Sequence, residues 1–89
     1  MNFEFKKSFL KDLKKRSNDK IFLSNVQAVI KEVDEAEKIS DVNNVKKLKG
    51  EGNYYRIRFG SYRIGLMIED NTAYFVRALH RSDIYKYFP

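Results

Sequence analysis

Residues 55–68 place two runs of alternating side chains, Tyr55-Arg56-Ile57-Arg58-Phe59 and Tyr62-Arg63-Ile64-Gly65-Leu66-Met67-Ile68, on either side of Gly60-Ser61. Period-two alternation flanking two turn residues predicts a β-hairpin. A two-residue loop then sets the pairing: Phe59 opposite Tyr62, Arg58 opposite Arg63, Ile57 opposite Ile64, and Arg56 opposite Gly65. One face carries Tyr55, Ile57, Phe59, Tyr62, Ile64, Leu66 and Ile68, and needs a covering layer. The other carries Arg56, Arg58 and Arg63, with Tyr54 and Met67 alongside. No Asp or Glu lies between Gly52 and Ile68 to neutralise the arginines. Like charges opposed across a sheet cost up to about 1 kcal/mol. Guanidinium groups stay charged and match phosphate with two parallel hydrogen bonds. The face reads as an anion site, best suited to a nucleic-acid backbone. For any single arginine, a side chain splayed into water or paired with a distant acid is the competing account.

The rest of the composition narrows the chemistry. Eighty-nine residues predict a single domain, 1–89, able to fold without staples. Cysteine is absent and histidine occurs once, so disulfides and thiolate metal sites are excluded and a zinc site lacks ligands. No metal and no cofactor is expected. The N-terminal MNFEFKKSF lacks the apolar stretch of a signal peptide, and no run is long enough to span a bilayer. The expectation is a cytoplasmic protein with no membrane partner. Lys and Arg number 18 against 12 Asp and Glu, a net charge of +6 that favours polyanionic partners.

Along the chain, Met1-Asn2-Phe3-Glu4-Phe5 alternates and predicts a short first strand. Ser8 is placed as N-cap of a short helix carrying Phe9, Leu10 and Leu13 on one side. Ser17-Asn18-Asp19 ends it and caps a longer helix with Phe22, Val26, Val29, Ile30 and Val33 in one stripe. These helices predict a hairpin covering the core face. Asp41-Val42-Asn43-Asn44 is a turn. The basic segment Val45–Gly50 reads as loop, its lysines either extending the anion surface or simply solvating it, with Lys47 and Lys49 the ones assigned to RNA. After Glu69–Thr72 comes a last strand to His80. A loop of Asp70-Asn71 alone puts Phe75 and Leu79 in the core and His80 on the arginine face. It also turns Arg77 coreward, where it needs an acidic partner, sought on the second helix. A three-residue loop reverses every side chain. Ser82 or Asp83 then starts a short terminal turn. The order is β-α-α-β-β-β-α, an α+β domain with a four-stranded antiparallel sheet and an N-terminal helical hairpin on one face.

No glycine-rich phosphate loop or nucleophile elbow is present. A basic face with a histidine and tyrosines nearby suits phosphodiester cleavage through a neighbouring 2′-hydroxyl, which needs proton transfer and cations rather than a metal. Arginine cannot be the base, which leaves His80 and Tyr85.

The segments VKKLKG, YYRIRFGSYRIGLMIED and ALHRSDIYKYF, in that order and spacing, resemble the RelE/ParE superfamily of toxins from type II toxin–antitoxin modules. The similarity covers nearly the whole chain. The resemblance implies a RelE-like, ribosome-dependent mRNA endonuclease. It puts Arg63 at the scissile phosphate, Arg56 and Arg58 on the RNA backbone, Arg81 at the leaving group, and Tyr85 against the substrate. His80 is an added candidate for acid or base. The better-known RelE pattern has lysines where Arg56 and Arg58 stand. The resemblance also implies a cognate antitoxin, ribosome and mRNA as partners, with operator DNA reached through the antitoxin. It leaves open a ParE-like gyrase inhibitor and an inactive, antitoxin-binding relative.

Overall fold

The hairpin pairs as the alternation requires, and everything else is arranged around it. In the computed structural model, which describes residues 1–89, strands β1 (Asn2–Phe5), β2 (Val45–Lys47), β3 (Tyr54–Phe59), β4 (Tyr62–Glu69) and β5 (Thr72–His80) form one sheet in the order β1-β5-β4-β3-β2. Phe59↔Tyr62, Arg58↔Arg63, Ile57↔Ile64 and Arg56↔Gly65 are all found. Gly60 supplies the positive φ that a two-residue hairpin loop needs. At the next turn Asp70 and Asn71, both at positive φ, connect β4 to β5 in the same compact way.

The sheet corrects the sequence reading in two respects: it has five strands rather than four, and it is not wholly antiparallel. Val45–Lys47 pairs with β3 as an edge strand, and β1 runs parallel to β5, Asn2 beside Thr72. A three-residue strand has too little pattern of its own to be recognised. A four-residue strand carries no record of its partner's direction.

Helices α1 (Lys7–Lys15) and α2 (Lys20–Glu35) cover one face. Asp19 caps α2 by accepting the Phe22 N–H at 3.0 Å. The α1 N-cap is Lys6 and uses no side chain; Ser8 lies inside the helix and donates instead to the Val76 carbonyl. Phe9, Phe22, Val26 and Val33 meet Ile57, Ile64, Leu66, Ala73 and Phe75 in the core, each larger side chain contributing about 1.5–3 kcal/mol by leaving water.

The opposite face is not left open. A terminal helix α3 (Ile84–Tyr87) and Phe88 lie against it, with Ile84 and Phe88 buried and the Phe88 ring edge-on to Tyr54. Gly65 makes room for that ring.

The register of β5 is split by a bulge. Leu66 pairs with Phe75 but Gly65 with Arg77, leaving Val76 without a partner on β4. Upstream, the two-residue loop places Phe75 in the core as expected. Downstream, parity is reversed: Ala78 is buried opposite Ile64, Leu79 stands opposite Arg63, and His80 opposite Tyr62. Leu79 is therefore not a core residue and His80 is not on the arginine face. Arg77 does find a carboxylate, but on α1: Nε and Nη2 reach the Asp12 oxygens at 2.8 and 3.1 Å.

Candidate nucleic-acid interface

Alternation on β3 and β4 puts Arg56, Arg58 and Arg63 on the face away from the helical hairpin. Chain connectivity adds the other two groups. The Arg81 N–H donates to the Ser61 carbonyl at 2.7 Å, tying the end of β5 to the β3–β4 turn. α3 then folds back so that Tyr85, 61% exposed, lies within charge range of Arg63. Burial is the first cause lowering the Arg63 pKa below the usual arginine value, followed by Arg56 and Arg58; Tyr85 acts the other way, and Arg81 lowers it a little further. Arg56, Arg58, Arg63, Arg81 and Tyr85 thus form one cluster. The remaining predicted residues, His80, Lys47 and Lys49, do not join it.

The backbone holds two of these arginines from beneath. Arg63 Nη1 donates to the Gly60 and Tyr62 carbonyls at 3.0 and 2.8 Å, leaving its other N–H groups free of the protein. Asn44, at positive φ, turns its carbonyl to accept both the Arg58 N–H and Arg56 Nη1, each at 3.1 Å. Arg56 Nε has no acceptor. No carboxylate pairs with any of the four arginines: the ion pairs are Lys31–Glu35 and Arg77–Asp12. Leaving a partly desolvated cation unpaired is costly, and an anion bound across the face would relieve that cost.

His80 lies apart. Its ring is edge-on to Tyr62 at 5.7 Å, and Tyr62 packs against Phe22 on the helix side. The Ser82 N–H donates to His80 Nδ1 at 3.2 Å, with the Ser82 hydroxyl at 2.8 Å. On β2, Lys47 pairs with Tyr55 and so takes the helix side, whereas Lys46 stands opposite Arg56 on the arginine face. Lys49 is exposed in the loop beyond. Lys47 and Lys49 were preferred to Lys46 as site residues because a segment read as loop has no parity; recognising β2 as a partner of β3 would have singled out Lys46. Asp12 was missed because a lone acid among α1 lysines looks like a surface charge.

The chain is a small α+β domain with an unpaired arginine cluster beside an exposed tyrosine, and it is similar to proteins of known class. The family described as "ParE toxin of type II toxin-antitoxin system, parDE" matches residues 3–85. Over 90 residues, covering the full length of both, the chain is 41% identical to Toxin RelE3 of Methanocaldococcus jannaschii. It superposes on a chain of the RelB–RelE antitoxin–toxin complex from Methanococcus jannaschii with a TM-score of 0.79 and 40% identity, covering 96% of this chain and 98% of that one. The YoeB dimer from Staphylococcus aureus shares the fold, at a TM-score of 0.72 and 22% identity over 90% and 95% of the two chains. The chain belongs to the RelE/ParE superfamily of toxins of type II toxin–antitoxin systems. No helix is long and apolar enough to cross a membrane.

Proposed function

We propose that this toxin is a ribosome-dependent endoribonuclease that cuts mRNA by attack of the 2′-hydroxyl on the adjacent phosphate, without a metal. The observation that carries the proposal is the set of arginines gathered about Arg63, with Tyr85 beside it and no carboxylate partner among them. Arg63, supported by turn carbonyls, is assigned to the scissile phosphate, where its free N–H groups offset the charge that grows in the transition state. Arg56 and Arg58 hold the RNA backbone, joined by Lys46 at the sheet edge, and Arg81 faces the leaving oxygen. Tyr85 is the group in the cluster able to exchange a proton, since arginine does not deprotonate. We assign proton transfer to Tyr85 ahead of His80, whose ring rests on Tyr62.

A tyrosine is a weak base near neutral pH, so cleavage gains from a substrate held in attack geometry by the ribosome. The same face suits a cognate antitoxin. The 40%-identical relative is a chain of a RelB–RelE antitoxin–toxin complex, and a net charge of +6 favours an acidic segment laid across the arginines. Work on ribosomes implies a cytoplasmic protein, with operator DNA reached through the antitoxin. The match to a family described as ParE toxin favours gyrase inhibition as the second reading.

The test is primer extension on an mRNA translated in vitro, with purified toxin, with and without ribosomes. Cuts at a fixed position within codons, seen only with ribosomes, are expected. Intact mRNA together with inhibited gyrase supercoiling would replace the nuclease by the second reading.

A further inference from the structure

Ser8 and Asp12 stand four residues apart on α1 and share a side of that helix. Both are spent on the bulge of β5. Ser8 Oγ donates to the Val76 carbonyl at 2.6 Å, and Asp12 Oδ2 accepts the Ala78 N–H at 2.9 Å. Arg77, between them in sequence, closes a two-pronged hydrogen bond on the same carboxylate. Asp12 is only 4% exposed. A helix that merely covered the sheet would be served as well by an apolar residue there, since a buried ion pair is rarely worth more than good packing. The arrangement fixes a direction: it holds the Arg77 guanidinium at the edge of β5, beyond the reach of β1, which pairs only with Thr72–Phe75.

The Arg77 guanidinium also meets the C-terminal segment. Its Cζ lies over the Tyr87 ring, 5.7 Å from the centroid, a cation–π contact. Tyr87 is otherwise 61% exposed. Tyr85 and Tyr87 are two residues apart on one turn of helix and so leave it on different sides. Tyr85 goes toward Arg63 and Tyr87 toward Arg77. The buried Ile84 and Phe88 fasten the segment down along a single line. Rolling about that line would swing Tyr85 away from Arg63, and the cation–π contact of Tyr87 with Arg77 opposes the roll.

We propose that Arg77, locked by Asp12, is a positioning residue for the reaction: by gripping the Tyr87 ring it fixes the roll of α3 and hence where the Tyr85 hydroxyl stands relative to Arg63. The catalytic consequence rests on the nuclease reading; the positioning itself does not.

The experiment uses the full chain labelled with 3-fluorotyrosine, with the Tyr85 resonance assigned by Tyr85→Phe, beside single-turnover cleavage of ribosome-bound mRNA. Tyr87→Leu removes the ring without touching the buried pair. Its Tyr85 resonance should shift or broaden while that of Tyr55 stays, and its cleavage rate should fall about tenfold with ribosome affinity unchanged. Tyr87→Phe keeps the ring face and should match wild type in both. Asp12→Asn retains an acceptor for Ala78 but loses the charge gripping Arg77, and should reproduce Tyr87→Leu in a folded protein. An unmoved Tyr85 resonance in folded Tyr87→Leu overturns the proposal, as does a Tyr87→Phe variant as impaired as Tyr87→Leu. A moved resonance in a toxin whose wild type cuts no mRNA upholds the positioning and removes the nuclease reading alone.

Discussion

Gly65→Ala should destabilise this protein for a reason that disappears when Phe88 is removed. A Cβ on Gly65 would lie 2.7 Å from Cδ2 and Cγ of Phe88 and 2.8 Å from Cδ1, whereas carbon atoms in favourable contact stand about 3.5–4.0 Å apart. The atoms met belong to a ring that is 3% exposed, not to the tip of a flexible side chain. Either the core strains, at about 1–3 kcal/mol, or the ring leaves and forfeits its burial, worth about 1.5–3 kcal/mol. Gly65 has no positive φ, so its backbone accepts alanine, and the lost freedom of the unfolded chain returns about 0.4–1 kcal/mol. The net cost is roughly 1–2 kcal/mol, a fall in Tm of about 4–16 °C for a domain of this size. In a Phe88→Ala background the clash is gone and Gly65→Ala should be neutral or stabilising. Urea unfolding of the wild type, both single variants and the double variant measures the coupling. Equal costs of Gly65→Ala in the two backgrounds would refute the argument that this glycine exists to seat the C-terminal segment.

Arg63→Ala should reduce cleavage by about 10²–10³-fold, the usual loss for one transition-state donor, while unfolding stability changes by no more than about 0.5 kcal/mol, as at other surface sites; full activity in the folded variant removes Arg63 from the site. Lys46→Ala should lower the salt dependence of single-stranded RNA binding by about 0.7 in log–log slope, the share of one phosphate contact, and Lys47→Ala should not; the reverse result would mean that the strand parity of β2 does not govern the interface. His80→Gln should leave the single-turnover rate within about threefold of wild type, well short of the 10²–10⁴-fold contribution of a general acid or base. A hundredfold loss without loss of ribosome affinity would return His80 to proton transfer.

How far the sequence spoke for itself depended on whether a signal was local. The β3–β4 pairing was legible because Gly60-Ser61 and the alternation on both sides agree, and the arginine face follows from it. The Asp19 cap and the α2 stripe were legible for the same reason. The bulge was not, because nothing near Val76 marks an inserted residue. Its trace was an inconsistency: a two-residue loop turned Arg77 coreward, and a buried arginine with no assigned partner signals a wrong parity as readily as a missing acid. In the event both held, since the parity changes at Val76 and the acid is Asp12. Arg56, Arg58, Arg81 and Tyr85 all lie within charge range of Arg63; the bulge takes His80 off the arginine face, and Lys47 could be given no face while its segment read as loop.

The parallel pairing of β1 with β5 also determines when during its own synthesis this molecule can become dangerous. Asn2 waits for Thr72 and Phe5 for Phe75, and the Arg81 N–H that ties the cluster to the hairpin turn is made later still. Such distant closures are slow relative to local hairpins and helices, and small domains complete their structure as units. A nascent chain can therefore form the β3–β4 hairpin and display three arginines, yet lack Arg81, Tyr85 and the strand that seats them until residues 72–85 have also been made. The arginine cluster of this toxin is in this way completed only after the hairpin that carries most of it has formed, which leaves an antitoxin an interval in which to be within reach.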